Sequence, residues 1–380
     1  ESLRKILIRS IKLYALGSFL NGGADLTEWR LLGVLQYFSI SYLAVGTLEV
    51  MLGNVGAYGG GGGSGGSGGG LSVNGAATAP SDGAARPKAP AGVPTTFVGA
   101  LWVDIGRYWL QWLVMIALAA VYVLVQTFLP VPGCPTGYIG PGGLADQGAY
   151  PACTGGAHRL IDVSWFGIHH MYHNGAGAYV TSAATCADYG MAYNCDVYDP
   201  EGVLGWLMAA WMTWLGLQAG RVFVNYRALL AAAGTDGAAR RAAQWAHIRR
   251  WLVWGIAAGA FGGGLCGFAK ETGLLPLNKN LWSPSFVLVI AAIDFWVLAT
   301  MFWVVDCAQW GSGAPFAYVG MNSIVVYAAS EILQPYFPFT AFMANNFASH
   351  AEAMASNVIG VACFVAFTRY LYLRKYFVTL

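Results

Sequence analysis

Eight apolar stretches divide this chain, at residues 6–20, 31–52, 108–129, 202–223, 251–269, 285–305, 317–336 and 353–371. Most hold about 20 residues, the number that carries a helix across a roughly 30 Å hydrocarbon core. Inside hydrocarbon every backbone N–H and C=O must find a partner within the protein, so only helices and closed barrels cross. Runs of this length without alternation select helices. The expected architecture is all-α, a polytopic transmembrane helical bundle of about eight spans. Charged residues make up 10% of the chain, whereas soluble domains carry about 25%. That difference excludes the soluble classes. The net charge of +2 excludes a nucleic-acid partner, because the basic residues sit at span ends and form no stripe. Membrane lipid is the implied surrounding, with Trp and Tyr supplying interfacial belts.

Lys and Arg in short connections set orientation. Arg4, Lys5 and Arg9 begin the chain, Arg227, Arg240, Arg241, Arg249 and Arg250 follow the fourth span, and Arg369, Arg374 and Lys375 close it. With eight spans all three groups share one side, which is then cytosolic. The first span carries Arg9 and Lys12, which must snorkel to that surface. The chain starts at Glu1 with no Met and reads as a piece of something longer.

Three units are expected: residues 1–52 with the first two spans, a disordered cytosolic loop over 53–107, and a transmembrane core over 108–380. The middle unit is Gly and Ser throughout 59–70 and Ala/Pro-rich to Pro94, which gives it nothing to bury. A phosphate-cradling role for those glycines would need a preceding strand and a following Lys-Ser/Thr, and neither is present.

The connection at 130–201 falls on the lumenal side. It holds Cys134, Cys153, Cys186 and Cys195, while Cys266, Cys307 and Cys363 lie in or beside spans. Four cysteines in one non-cytosolic loop suggest two disulfides, and local pairing gives Cys134–Cys153 and Cys186–Cys195. Zinc is the competing idea because His169, His170 and His173 are near, but the close Cys-x-x-Cys pairs typical of zinc sites are absent.

The segment 275–285, Leu-Pro-Leu-Asn-Lys-Asn-Leu-Trp-Ser-Pro-Ser, joins two spans. Amides, hydroxyls and a lysine cannot face lipid there. Two readings follow. The plain one is a hydrated connector with an interfacial Trp282. The sharper one is a singly cationic pocket for an anionic or phosphorylated ligand.

The lumenal loop carries a specific resemblance. Pro130-Val-Pro-Gly-Cys-Pro-Thr-Gly-Tyr-Ile-Gly-Pro-Gly-Gly143 and Tyr150-Pro-Ala-Cys-Thr-Gly-Gly156 resemble the heparan-α-glucosaminide N-acetyltransferase family. Tyr198-Asp-Pro-Glu-Gly-Val-Leu-Gly205, Leu215-Gly-Leu-Gln-Ala-Gly220, Pro276-Leu-Asn-Lys-Asn-Leu-Trp-Ser283, Gly320-Met-Asn-Ser-Ile324 and Tyr336-Phe-Pro-Phe339 continue it in order. Arg30-Leu-Leu-Gly-Val-Leu-Gln36 and Asp104-Ile105 extend it towards the start. The resemblance implies an enzyme of lysosomal or vacuolar membranes that takes acetyl from acetyl-CoA and places it on the amine of a terminal glucosamine of a heparan-type glycan. It implies no metal, and a homodimer is compatible with it. The family's active-site histidine precedes the portion matched here, so the catalytic residue of this sequence stays unknown. His350 and the His169/His170/His173 group read as loop histidines.

What the resemblance and the local chemistry together suggest as a cofactor-binding set is Asn278, Lys279, Asn280, Trp282, Ser283 and Ser285, with Asn322 and Ser323 pointing into the same cavity and Arg30 as a second phosphate cation. Lys279 is expected to bind the CoA part rather than the sugar, since a lysine attracts phosphate and repels the glucosamine ammonium. Asp294 reads as a neutral intramembrane acid bonded to another helix, and Glu331 as a pairing residue. A membrane O-acyltransferase for another glycan and a non-catalytic transporter-like homologue are the alternatives.

Overall fold

The computed structural model describes residues 2–21, 27, 29–53, 97–140, 142, 149–172, 198–270, 273–333, 336 and 350–378. Among these there is no strand. The helices are α1 Ser2–Asn21, α2 Val34–Leu52, α3 Phe97–Ile105, α4 Trp109–Phe128, α5 Gly156–Phe166 and α6 Val203–Ala233. They continue as α7 Gly237–Leu265, α8 Pro284–Phe302, α9 Phe316–Met321, α10 Ser323–Leu333 and α11 His350–Leu373.

Among the described residues, each of the eight apolar stretches is helical over most of its length. Four segments, Val34–Leu52, Trp102–Phe128, Pro284–Cys307 and His350–Leu373, are long and apolar enough to cross a bilayer by length and composition. The rest depart from a simple span for visible reasons. α1 carries Arg4, Lys5, Arg9 and Lys12. The seventh stretch is broken at Asn322 into α9 and α10. α7 begins 14 residues before the apolar stretch that starts at 251, capped by Asp236, whose carboxylate accepts from the N–H groups of Ala238 and Ala239. The cap and an alanine-rich first half extend the helix past the hydrophobic signal. The loop expected over 53–107 becomes helical at Phe97, because Phe97–Ile105 is itself apolar. Residues 54–96 lie outside the described residues.

α6 is the central helix, touching α2, α4, α5, α7 and α8. One core packs Met115 and Tyr122 of α4 against Leu204, Met208 and Trp214 of α6 and Val287 of α8. A second core joins Val222 and Tyr226 of α6 to Trp251, Phe295 and Phe302. The most extensive pair is α7 with α8. A side chain at Gly262 would meet Leu288 Cβ at 2.8 Å, so this helix pair depends on the close approach that small residues permit in membranes.

Cys134 and Cys153 form a disulfide, one of the two local pairings expected. Cys186 and Cys195 lie outside the described residues, as does His173. Cys266, Cys307 and Cys363 carry no disulfide. Asp294 is on an exposed face of α8, and the expected bond to another helix is not seen among the described residues. Glu331 is exposed too.

Candidate functional site

The 275–285 turn is built by its own side chains. Asn278 donates from Nδ2 to the Ile139 carbonyl at 2.8 Å and accepts from Leu281 N–H at 3.1 Å. Ser283 Oγ accepts from Asn278 N–H at 3.0 Å and caps α8 by accepting from Phe286 N–H. Ser285 Oγ meets Ser283 Oγ at 2.9 Å and donates to the Pro276 carbonyl. Ser283 and Ser285 are buried. Trp282, at φ 50°, lays its ring against Tyr37 at 5.2 Å and Phe286 at 6.1 Å. Three of the expected ligand-binding groups, Asn278, Ser283 and Ser285, are therefore committed to the turn itself. Lys279 is exposed, and Asn280 lies against Tyr198.

Tyr198 brings in the second half of the site. Arg30 grips Asp199 through Nε at 2.9 Å and Nη2 at 2.6 Å, and the same Nη2 reaches Glu201. Its guanidinium also lies over the Tyr172 ring, 4.7 Å from the centroid. Asp199 accepts further from Tyr172 N–H and Glu201 N–H. Arg30 is thus no open phosphate cation. Burial pulls its pKa down, but the hydrogen bonds and charges of Asp199 and Glu201 outweigh that and hold it raised. Glu201 is raised, first by burial and then against the pull of Arg30. Tyr198 is pushed up to about 12, chiefly by burial.

Asp162 of α5 completes an acidic group. It is fully buried, its Oδ1 accepts from Val203 N–H at 2.9 Å, and its Oδ2 has no partner. Burial raises its pKa to about 7. Asp199 and Glu201 face Arg30, and Asp162 lies beside Asp199, so acids outnumber the one arginine in this group. Sequence reading found Arg30 but missed these acids. The signal was present in Tyr198-Asp-Pro-Glu201, two acids flanking a proline at a helix entrance.

Behind the turn, Tyr122 of α4 donates to the Leu281 carbonyl at 2.7 Å. With that proton committed, His158 Nε2–H is the donor in the 3.2 Å contact to the Tyr122 oxygen. Burial lowers the His158 pKa to about 3, so the ring stays neutral. Tyr122→Phe is expected to destabilise the protein by about 1–3 kcal/mol per stranded group, because it strands the Leu281 carbonyl and the His158 N–H. Thermal unfolding of purified protein measures it, and an unchanged midpoint refutes the bridge.

Asn322 and Ser323 do not join the turn. Asn322 is buried at the α9–α10 break, accepts from Val378 N–H at 3.2 Å and leaves its Nδ2 without a partner, while Ser323 is exposed. No hydrogen bond or ring contact seen among the described residues links them to 275–285. The reason is topological: the break tethers the C-terminal tail, whereas the turn is tied to residues 122, 139 and 198.

A separate polar group lies inside the bundle. Arg221 of α6 meets Glu49 of α2 and Gln111 of α4, and Trp214 Nε1 donates to Gln111 at 3.1 Å. Nearby, Arg250 meets Asp104 at 2.5 Å. Arg221 stacks over Tyr108, 3.6 Å from the ring centroid. Sequence reading passed over this network, though polar residues inside apolar spans are its ordinary sign. Among the described residues no group of three metal-ligating side chains occurs.

No protein-family model matches the chain. It is 38% identical over 275 residues to the heparan-alpha-glucosaminide N-acetyltransferase of Mus musculus, covering 72% of this chain and 38% of that protein. It is 36% identical over 275 residues to the heparan-alpha-glucosaminide N-acetyltransferase of Homo sapiens, covering 72% of this chain and 37% of that protein. The chain thus spans less than two fifths of the length of these curated relatives. An alignment this long, at this identity, on a helical membrane scaffold places the chain in the heparan-alpha-glucosaminide N-acetyltransferase family.

Proposed function

We propose that this chain is part of a membrane acetyltransferase that moves acetyl from acetyl-CoA to the amine of a terminal glucosamine on the lumenal side of a lysosomal or vacuolar membrane. The observation that carries this reading is the 38% identity over 275 residues to a protein of that name. The site supports it chemically. An attacking amine arrives as an ammonium and must lose a proton. The paired acids Asp199 and Glu201 outnumber the one arginine between them, which suits a site that receives such a cation. The residue that accepts the proton is not assigned to this chain.

The donor's anchor on the turn is narrower than the sequence suggests. With Asn278, Ser283 and Ser285 holding the loop, Lys279 remains as the cation for a CoA phosphate, with Asn280 and the face of Trp282 beside it. An exposed ion pair contributes about 0.2–1 kcal/mol, so Lys279→Ala is expected to weaken acetyl-CoA binding a few-fold, and less at high salt. Calorimetry on the full-length protein reads it, and an unchanged affinity removes Lys279 from the donor site.

The activity is tested by incubating full-length protein in sealed vesicles with labelled acetyl-CoA and a glucosamine-terminated oligosaccharide. A base-stable amide product supports the proposal. A base-labile ester would make the protein an O-acyltransferase, and no labelled glycan would overturn acetyl transfer altogether.

A further inference from the structure

α6 and α7 form a helical hairpin that runs past the apolar stretches, 202–223 and 251–269, that the sequence reads as spans. α6 has 31 residues and α7 has 29, about 46 and 44 Å at the helical rise. The hydrocarbon core takes about 30 Å. The joined end, 224–250, lies between the apolar stretches 202–223 and 251–269 and holds Arg227, Arg240, Arg241, Arg249 and Arg250 and one acid, Asp236. Asp236 serves as the helix cap and Arg250 is held by Asp104. No carboxylate is seen paired with Arg227, Arg241 or Arg249 among the described residues, and Arg240 and Arg249 donate to the backbone carbonyls of Gly234 and Trp245 in this same hairpin.

Their direction is what matters. At 100° per residue, Arg241, Trp245, Arg249, Leu252 and Ile256 fall on one face of α7. Leu252 and Ile256 are large apolar side chains left 37% and 59% exposed by the bundle. In a bilayer-spanning stretch such a face meets acyl chains. The same face one to three turns higher then stands above those lipids, where their headgroups are. Trp245, 53% exposed, sits between the two arginines, as aromatic side chains do at the headgroup level. The opposite face of α7, with Ala243 and His247, is buried against α6 and α8, so this orientation is fixed by packing. On α6 the pattern repeats, with Phe223 and Val224 exposed just below exposed Arg227.

We propose that Arg241, Trp245 and Arg249 of α7, with Arg227 of α6, form a binding surface for anionic phospholipid headgroups of the adjacent leaflet. Two guanidinium groups, each with unpaired N–H groups, take the headgroup phosphate or carboxylate, and the indole rests at the boundary with the acyl chains. Each such basic residue adds to the attraction for an anionic surface. This inference does not depend on acetyl transfer, and it concerns the end of the molecule that the basic count assigns to the cytosol.

The test compares full-length protein with the double variant Arg241→Gln/Arg249→Gln in nanodiscs of phosphatidylcholine and of phosphatidylcholine with phosphatidylserine. Native mass spectrometry counts retained phosphatidylserine, and thermal unfolding reads the stability. The parent is expected to retain phosphatidylserine and unfold at a higher temperature when it is present. The double variant should lose about tenfold or more in retention and lose the thermal shift, while matching the parent in pure phosphatidylcholine. Equal retention by both proteins overturns the proposal. So does water-soluble glycerophosphoserine reproducing the shift in phosphatidylcholine nanodiscs, which would mark an anion site with no need of the lipid. Should the double variant fail to fold, Arg241→Lys/Arg249→Lys keeps the charges and is expected to retain the lipid; loss of retention there also overturns it.

Discussion

Arg30→Ala is expected to destabilise the protein by about 3–5 kcal/mol, because removing one partner of a buried ion pair leaves the other charge uncompensated. The stranded groups are Asp199, 1% exposed, and the half-buried Glu201. Measured against a typical total of about 5–15 kcal/mol, that loss endangers the folded state at physiological temperature. Arg30→Lys should recover only part of it. A lysine can place one ammonium near Asp199, but it cannot reproduce the two-pronged contact through Nε and Nη2. The triple change Arg30→Met/Asp199→Asn/Glu201→Gln should be milder than Arg30→Ala, since no charge then remains unpaired. Thermal unfolding of all three in detergent checks this. An Arg30→Ala protein within about 1 kcal/mol of the parent would show that water reaches the cluster and that the pairing matters little.

The second large effect is a pH dependence. Asp162 rises from its ordinary 3.8 to about 7 through burial. Its folded pKa is above its unfolded one, so the stability it contributes is complete below about 4 and is lost as pH rises through about 7. The span between those two values corresponds to at most about 4 kcal/mol. An acidic compartment therefore favours this fold. Asp162→Asn keeps an acceptor for Val203 N–H and removes the titration. The variant should show a flatter stability profile between about pH 4 and 7 and should equal or exceed the parent at neutral pH. Identical profiles for the two proteins would mean that the buried carboxylate is not the group that titrates.

How much of this was legible beforehand depends on which physics governed each part. The helices were, because hydrophobic length fixes them, and so was the local disulfide Cys134–Cys153, because it closes within one loop. Where helices end was less visible. α7 starts at Gly237 through an Asp236 cap and alanine propensity, neither of which a hydropathy pattern registers. The turn at 275–285 was found but its chemistry was misjudged. From sequence, Asn278, Ser283 and Ser285 look like groups waiting for a ligand, yet a tight turn buried beside two spans has backbone groups of its own to satisfy, and they take the side chains first. Arg30 was seen as a lone cation because its carboxylates lie 169 and 171 residues away. Asn322 resembled a neighbour of the turn because motif order says nothing about distance.

The bonds that hold the turn also set a schedule for making the protein. Leu281 is 159 residues beyond Tyr122, and Asn278 is 139 beyond Ile139. During synthesis α4, α5 and the disulfide loop are therefore complete long before the segment that seats them exists. Until then the Tyr122 hydroxyl and the Ile139 carbonyl must be satisfied by water or by chaperones, and closure waits for a long-range contact of the kind that folds slowly. Newly made chains should thus pass through a stage with the Cys134–Cys153 disulfide formed and the 275–285 turn not yet seated. Substitutions in 275–285 would prolong that stage, and their harm would appear first as retention and degradation of immature protein, ahead of any defect in the mature molecule.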